Sequence, residues 1–424
     1  MIKRIKEINF IELLILLIIM FILIGIPLMM LYRYTFNIYE IRYFDYTNRS
    51  WILWWSVPVL FILYILDIIF NKKKISYIDI LLYLLIILGA ISTIFAVNTR
   101  TAKYGELTRN EGLLSLLSYY LILLNLKNMS NEKYKDIIIK TLGVIGIIQI
   151  IYGILQVYTD FSFILHFEIS HMAFGLMGNP NFFGSYMVIV VSYAFSKYML
   201  ERKKKYLVLS VVFFMGLCLS SSTGPILSFF LVIVFFSIFY RKKIKWKDLL
   251  KIIILFILTY IFVVFSLKFV HAKLYNKEIN PDYLSKEITN FDSSNIGNGR
   301  VNLWIDSLPL VKKYWAFGAG IDNFGIVYGS RGGLYFDKAH NVYLQILITN
   351  GIFALTIYMI ILGIIFFKGL KLKETIYISL LMAFIGYCIQ AFANISVIEV
   401  APSFYIICGL LLSKIQKNEL KMIK

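Results

Sequence analysis

The 424 residues contain no Gly-x-x-x-x-Gly-Lys-Ser/Thr loop, so no stretch of the chain wraps nucleotide phosphates in that way. They contain no Asp-x-Asp either, the carboxylate pair that commonly holds a divalent cation against a nucleotide sugar. The three cysteines, Cys218, Cys388 and Cys408, all fall inside apolar runs and none is spaced as a metal pair. A disulfide framework and a zinc site are both disfavoured, and the thiols read as small buried hydrophobes. Charge is scarce, at 16% of residues, and lopsided, with 43 Lys and Arg against 24 Asp and Glu. A net charge of +19 would suggest nucleic acid in a water-soluble protein; here the basic runs are short and lie between apolar spans, so no nucleic-acid partner is expected.

What is abundant is hydrocarbon. Apolar side chains make up 59% of the sequence and the mean hydropathy is +0.76, more than a water-exposed surface tolerates, so lipid is the expected solvent. At 1.5 Å rise per residue, roughly 20 apolar residues cross a hydrocarbon core of about 30 Å. Runs of that kind occupy 9–31, 51–70, 78–97, 112–126, 135–158, 181–199, 206–222, 225–240, 248–270, 342–366, 375–394 and 399–414. The sequence therefore predicts an all-α polytopic membrane bundle of about twelve transmembrane helices, a single integral membrane domain over 1–424. The first run is too long for a signal-peptide core and reads as a span.

Basic residues fall in every second loop: Lys3, Arg4 and Lys6; Lys72–Lys74; Lys127, Lys133 and Lys135; Arg202–Lys205; Arg241–Lys247; Lys368–Lys373; and Lys414–Lys424. The positive-inside rule then puts both termini in the cytoplasm, with the protein multi-pass in the cytoplasmic (inner) membrane. Segments 32–50, 98–111, 159–180 and a long loop at 271–341, between spans 9 and 10, are expected outside. Within that loop, Ser293 to Gly299 reads as a turn. Arg300 to Lys313 has helical spacing, with Val301, Trp304, Leu308 and Val311 along one stripe.

The outer segments hold all four histidines, His166, His171, His271 and His340, and the densest set of polar motifs. His340 stands just before a long apolar helix, where unpaired N–H groups and the helix dipole favour anions and keep an imidazole neutral. It reads either as a general base for a hydroxyl or as a simple helix cap. Arg300 reads as a bidentate phosphate ligand or as a solvated surface charge, with Trp304 packing the loop. Arg331-Gly332-Gly333 is a weak phosphate-cradling candidate, and Gly318 and Gly320 read as a tight turn. Arg109, in Tyr104–Gly112 at the mouth of the fourth span, must meet an acid or a bound anion; Glu106 and Glu111 are the nearest acids in sequence. Asn179-Pro180-Asn181 reads as a helix cap followed by proline in the first turn. His166 and His171 lack a third ligand, so no metal site and no cofactor is expected.

In order, Gly299-Arg300-x-x-x-Trp304, Gly318-x-Gly320-x-x-Asn323-Phe324 and Ala339-His340-Asn341-x-x-Leu344, with Tyr104–Gly112 and Gly178-Asn179-Pro180-Asn181-Phe182 before them, resemble the O-antigen ligase and O-antigen polymerase superfamily. The likeness spans roughly residues 98 to 366. It implies a GT-C-like membrane glycosyltransferase that moves a glycan from undecaprenyl pyrophosphate to an acceptor hydroxyl at the outer face, without a metal. It makes His340 the candidate catalytic base, with Arg300 and Arg109 on the pyrophosphate and Asn341, Trp304 and Arg331 as further substrate-binding candidates. The partners implied are a lipid-linked oligosaccharide donor, a glycan, lipid, wall-polymer or protein acceptor, and membrane lipid. The family often has Ser-Arg-Gly where this chain reads Ser222-Thr223-Gly224, so the arginine of that motif is absent here. A lipid-linked glycan transporter or flippase is the alternative from another class. Against it, Asp67 and Lys140 lie towards span ends and leave Gln149 as the lone polar residue near a span centre. A peptidoglycan polymerase of the shape-and-division type would need an acidic loop residue, for which Asp322 and Asp337 are the candidates.

Overall fold

A computed structural model of the protein describes residues 9–35, 48–159, 172–275, 299–331 and 334–423. Each of the twelve apolar segments contains a helix. These are α1 (Phe10–Thr35), α2 (Ser50–Phe70), α3 (Tyr77–Ile94), α5 (Leu113–Asn128), α6 (Glu132–Tyr158), α7 (Pro180–Glu201), α8 (Lys204–Leu219), α9 (Thr223–Phe239), α10 (Trp246–Tyr275), α14 (Val342–Gly369), α15 (Thr375–Ala391) and α16 (Ala401–Ile423). Between them stand short helices: α4 (Thr99–Tyr104), α11 (Arg300–Asp306), α12 (Leu308–Lys313) and α13 (Phe324–Tyr328). A ribbon of two residues a side, β1 (Ser330–Arg331) and β2 (Leu334–Tyr335), pairs antiparallel with Ser330 opposite Tyr335.

Among the described residues, α1, α2, α3, α6, α10 and α14 are long and apolar enough to cross a membrane, and α5, α9 and α15 are shorter apolar helices. The protein is a polytopic helical membrane protein. Helices suit that solvent because each satisfies its own backbone polar groups. α7 is less apolar because it does not need a lipid-facing stripe: nearly its whole circumference is buried against α8, α9 and α15. α5 is likewise enclosed, by α2 and α16. By contrast α10 turns Leu250, Ile254, Ile257, Ile261, Phe262 and Phe265 outward, as a helix facing lipid tails does.

Local chemistry sets the helix ends. Asn179 caps α7 by accepting from the Asn181 N–H at 2.8 Å, and Pro180 fills the first turn, as the motif predicts. Ser220 to Ser222 are all that separates α8 from α9. The stripe expected over Arg300 to Lys313 is corrected. Helix breaks at Ser307 and restarts with Pro309 in the first turn of α12, which resets the register. Leu303 and Leu310 are consequently the buried residues, and Leu308 is exposed. The turn expected over Ser293 to Gly299 lies outside the described residues except for its last glycine.

α14 is not continuous. At Gly351 the backbone turns to φ 85°, and the segment 315–320 lays its own backbone into the break. Ile352 N–H donates to Trp315 O at 2.7 Å, Ala319 N–H to Ile348 O at 2.9 Å, and Gly320 N–H to Thr349 O at 3.1 Å. No side chain fits between: a Cβ on Gly351 would stand 2.0 Å from Ala316 O, and one on Gly318 would stand 2.1 Å from Thr349 O. The glycines of the 318–320 motif thus serve backbone-to-backbone packing. Gly351→Ala is expected to lower stability by about 2 kcal/mol or more, from the positive φ and the clash together. Gly363→Ala, on the same helix with open space at its Cβ, is expected to leave the melting temperature unchanged or higher. Thermal unfolding of the detergent-purified variants measures both, and equal melting temperatures would refute this account of the break.

Candidate functional site

At one end of the bundle the lysines of the basic segments meet helix-terminal acids, Lys127 with Asp79 at 3.0 Å and Lys417 with Glu132 at 3.1 Å. At the other end, where α5, α7 and α14 begin, the segments 98–111, 172–180, 299–341 and 392–400 come together. Asn323 is the stitch between two of them. Its side chain accepts from Asn98 N–H at 2.9 Å and donates to Asn98 O at 3.2 Å.

His340 is half-buried, directly before α14. Asn341 is that helix's N-cap, its Oδ1 accepting from the N–H groups of Tyr343 and Leu344, both at 3.0 Å. The cap therefore belongs to Asn341, and the imidazole of His340 is left for other work. Its loop is fastened on both sides. The indole N–H of Trp304 donates to Ala339 O at 2.9 Å, and Ala339 N–H donates to Gln345 Oε1 at 2.8 Å. Phe336 meets the imidazole edge-on with ring centroids 6.2 Å apart. His340 itself sits at φ 49°, and its Nδ1 is buried with no hydrogen-bond partner among the described residues.

Backbone strain gathers here. Six non-glycine residues among those described have positive φ, and three of them, Asn110, Asp322 and His340, belong to the three loops that meet at this point. Each costs on the order of 1–2 kcal/mol, a concentration more typical of a functional site than of a connecting loop.

The loops are joined by one buried ammonium group. Lys338 Nζ lies 2.6 Å from Glu111 Oε2 and 3.0 Å from Asp322 Oδ1. Glu111 also accepts from Tyr119 Oη at 3.0 Å and Ser396 Oγ at 2.8 Å, and Asp322 from the Glu106 N–H at 2.8 Å. Burial alone would lower the Lys338 pKa, but Asp322 and Glu111 together hold it well above the usual lysine range. This trio lines one side of a cavity of about 70 Å³ beneath the His340 loop; Asn341, Gln345, Thr349 and Asn350 add polar groups on the α14 side, and most of the remaining lining is apolar.

Arg109 does not pair with Glu106 or Glu111, its neighbours in sequence. Its Nε–H donates to Asp337 Oδ2, 228 residues away, and its guanidinium lies over the ring of Phe182, 5.4 Å from the centroid. Burial works against both charges, yet the pairing raises the Arg109 pKa and lowers that of Asp337. Beside them a second buried pair, Arg49 with Glu399, joins the loops before α2 and α16.

His340 feels all of this. Burial, then the positive charges of Arg300, Arg109 and Lys338, push its pKa down to about 4 against the opposing pull of Asp337, so the imidazole is neutral at physiological pH. Arg300, at the first position of α11, is therefore close enough to His340 to act on it electrostatically. The structure thus gathers His340, Arg300, Arg109, Trp304 and Asn341 at one place. Arg331 lies in β1, with its side chain outside the described residues, as are His166, His171 and the side chain of His271. Among the described residues no three His, Cys, Asp or Glu side chains are arranged to hold a metal ion. Sequence reasoning missed Lys338. The available signal was an Asp337-Lys338 charge pair immediately before the Ala339-His340-Asn341 motif at a helix entry.

On the far side of Trp304 runs a second feature. Trp304 packs edge-on against Phe392 at 5.7 Å, and Phe392 with Tyr343 forms one end of a groove of about 990 Å³ between α9, α14 and α15. Leu227, Leu231, Met359, Leu362, Phe366 and Phe384 make its walls, so it is apolar along its length.

Lys338→Met is expected to destabilise the fold by about 3–5 kcal/mol, since it strands two buried carboxylates. Adding Glu111→Gln and Asp322→Asn to that variant is expected to restore most of the loss. Melting temperatures of the single and triple variants test this, and a Lys338→Met protein as stable as wild type would show that the trio holds nothing together.

A family model described as O-Antigen ligase matches residues 208–359, from within α8 to within α14, taking in the segment that carries Arg300, Trp304 and His340. No curated protein matches the chain. The family match and the order of the motifs agree: over residues 208–359 the chain is similar to the O-antigen ligase family, in keeping with the O-antigen ligase and polymerase superfamily that the motifs resemble.

Proposed function

We propose that this protein transfers a glycan from a lipid pyrophosphate donor, of the undecaprenyl pyrophosphate type, to an acceptor hydroxyl at the outer face of the cytoplasmic membrane. His340 takes the proton of the acceptor hydroxyl as its oxygen bonds to the anomeric carbon. The bond from that carbon to the pyrophosphate breaks, and Arg300 and Arg109 receive the charge that develops on the leaving group. Cationic side chains do what a divalent metal does in other glycosyl transfers. Twelve spans with both termini in the cytoplasm would put the His340 end outside.

The observation that carries this reading is the convergence of residues 109, 300 and 340 beside one end of the apolar groove. A polar head that needs cations and a long isoprenoid tail that needs a greasy channel are the two halves of such a donor. The groove runs between helices of the bundle and is walled by apolar side chains, as a lipid tail entering sideways requires. A flippase has less support: the charged groups cluster at the two ends of the bundle, and transport sites are expected near the midplane.

His340→Ala is expected to lower transfer by about 10²–10⁴, the usual worth of a positioned base, with normal membrane insertion. Mass spectrometry of lipid-linked glycans from cells carrying the variant separates the cases. Single repeat units stranded on the carrier mean a polymerase, and long chains stranded there mean a ligase. Repeats trapped on the inner leaflet would establish the flippase instead, and unchanged pools would overturn the reading.

The pH dependence follows from the site's charges. In the free enzyme His340 is protonated only as pH falls toward about 4, so kcat/KM is expected to keep its basic form well below pH 6. With pyrophosphate beside Arg300 and Arg109, the positive field on His340 is offset and its pKa rises. The acid limb of kcat is therefore expected at higher pH than that of kcat/KM. Coincident limbs near pH 6.5 would show that the arginines do not act on the base.

A further inference from the structure

Arg109 is held by one edge only. Asp337 takes the Nε–H, Phe182 supports the guanidinium plane from below, and the two terminal amino groups have no hydrogen-bond partner among the described residues. Both side chains remain partly open to solvent, 26% for Arg109 and 17% for Asp337. A guanidinium fixed in this way keeps its terminal fork, the part whose spacing matches two phosphate oxygens, while its rotation is restricted by the carboxylate and the ring. The same carboxylate also cancels much of the charge that the fork would offer an anion. Glu111 and Asp322 are engaged with Lys338, so Asp337 is the acid that contacts Arg109 directly.

We propose that Asp337 is a positioning residue for the leaving group: it reserves the terminal edge of Arg109 for the donor's phosphate, and its charge keeps the departing lipid pyrophosphate from being held too tightly. The inference rests on the reading above in which Arg109 meets the donor. Its two parts separate by substitution. Asp337→Asn leaves an amide oxygen to accept from Nε and removes the charge. Asp337→Ala removes both.

The test uses the full chain purified in detergent, with farnesyl pyrophosphate as the probe for binding and the lipid-linked donor for turnover. D337N is expected to bind the probe about tenfold more tightly than wild type, as removal of an adjacent like charge predicts. It is also expected to turn over more slowly, with kcat and KM falling together because the product leaves late. D337A, with its guanidinium no longer clamped, is expected to bind more weakly than D337N and to raise KM above the D337N value. A merely structural role does not tighten anion binding or set the amide and alanine variants apart. If D337N binds no more tightly than wild type, or D337A matches D337N, the proposal is wrong. Arg109→Ala distinguishes that failure from a failure of the donor reading. Lost probe binding in Arg109→Ala keeps Arg109 at the donor and refutes only the role of Asp337, whereas unchanged binding removes Arg109 from the donor site and the proposal with it.

Discussion

A single ammonium group holds the site together. Lys338 comes from the loop before α14, Glu111 from the loop before α5, and Asp322 from the turn after the glycine pair, and these three meet nowhere else so directly. A buried ion pair is a poor source of net stability, because desolvation offsets most of the Coulomb attraction. What such a cluster supplies is intolerance of misplacement: if any one loop drifts, a buried charge loses its partner. His340 is two residues from Lys338 and in a left-handed conformation that it would not choose alone. The lysine fixes His340 by fixing the chain on one side of it, while the Asn341 cap and α14 fix the other.

The same arrangement explains why α14 is broken. A continuous helix would carry its N-terminus straight past the segment 315–320. The break at Gly351 admits that segment's backbone, and the carbonyls of Ile348 and Thr349, freed from the helix, are taken up by Ala319, Gly320 and the Ser92 hydroxyl. Backbone polar groups that lipid could not satisfy are satisfied by another piece of protein, the condition under which irregular structure survives at membrane depth. The turn that presents Asp322 to Lys338 is anchored by that exchange.

The helices were legible in the sequence because lipid favours long apolar runs: each of the twelve runs holds a helix, and among the described residues six of these helices are long and apolar enough to cross a membrane. The order of the motifs that carry Arg300, Trp304 and His340 was legible too, and it agrees with the family match over residues 208–359. The partners were not. Arg109 lies near Glu106 and Glu111 in sequence, yet the acid it meets is Asp337, because α5 and α14 begin at the same end of the bundle and Glu111 is already committed to Lys338. Helical periodicity failed over Arg300 to Lys313 for a local reason, the restart at Pro309. Pairings between distant loops depend on how helices stack, and a hydropathy pattern carries almost no information about which helix ends are neighbours.

Under the proposed function, a site that releases pyrophosphate and also deprotonates a hydroxyl faces conflicting demands. Cations that stabilise the leaving group make a nearby histidine a weaker base, and His340 shows that cost in a pKa pushed down to about 4. Removing the cations would restore basicity and forfeit the leaving group. The carboxylates offer a way through. Asp337 sits between the two functions, lowering the effective charge of Arg109 and, by its own field, raising the affinity of His340 for a proton. Donor phosphate arriving at the arginines would then complete what Asp337 begins, so the base gains strength only when there is something to transfer. On this reading a lone histidine beside bare arginines would be inert, and the acidic residues around them belong to the chemistry as much as to the fold.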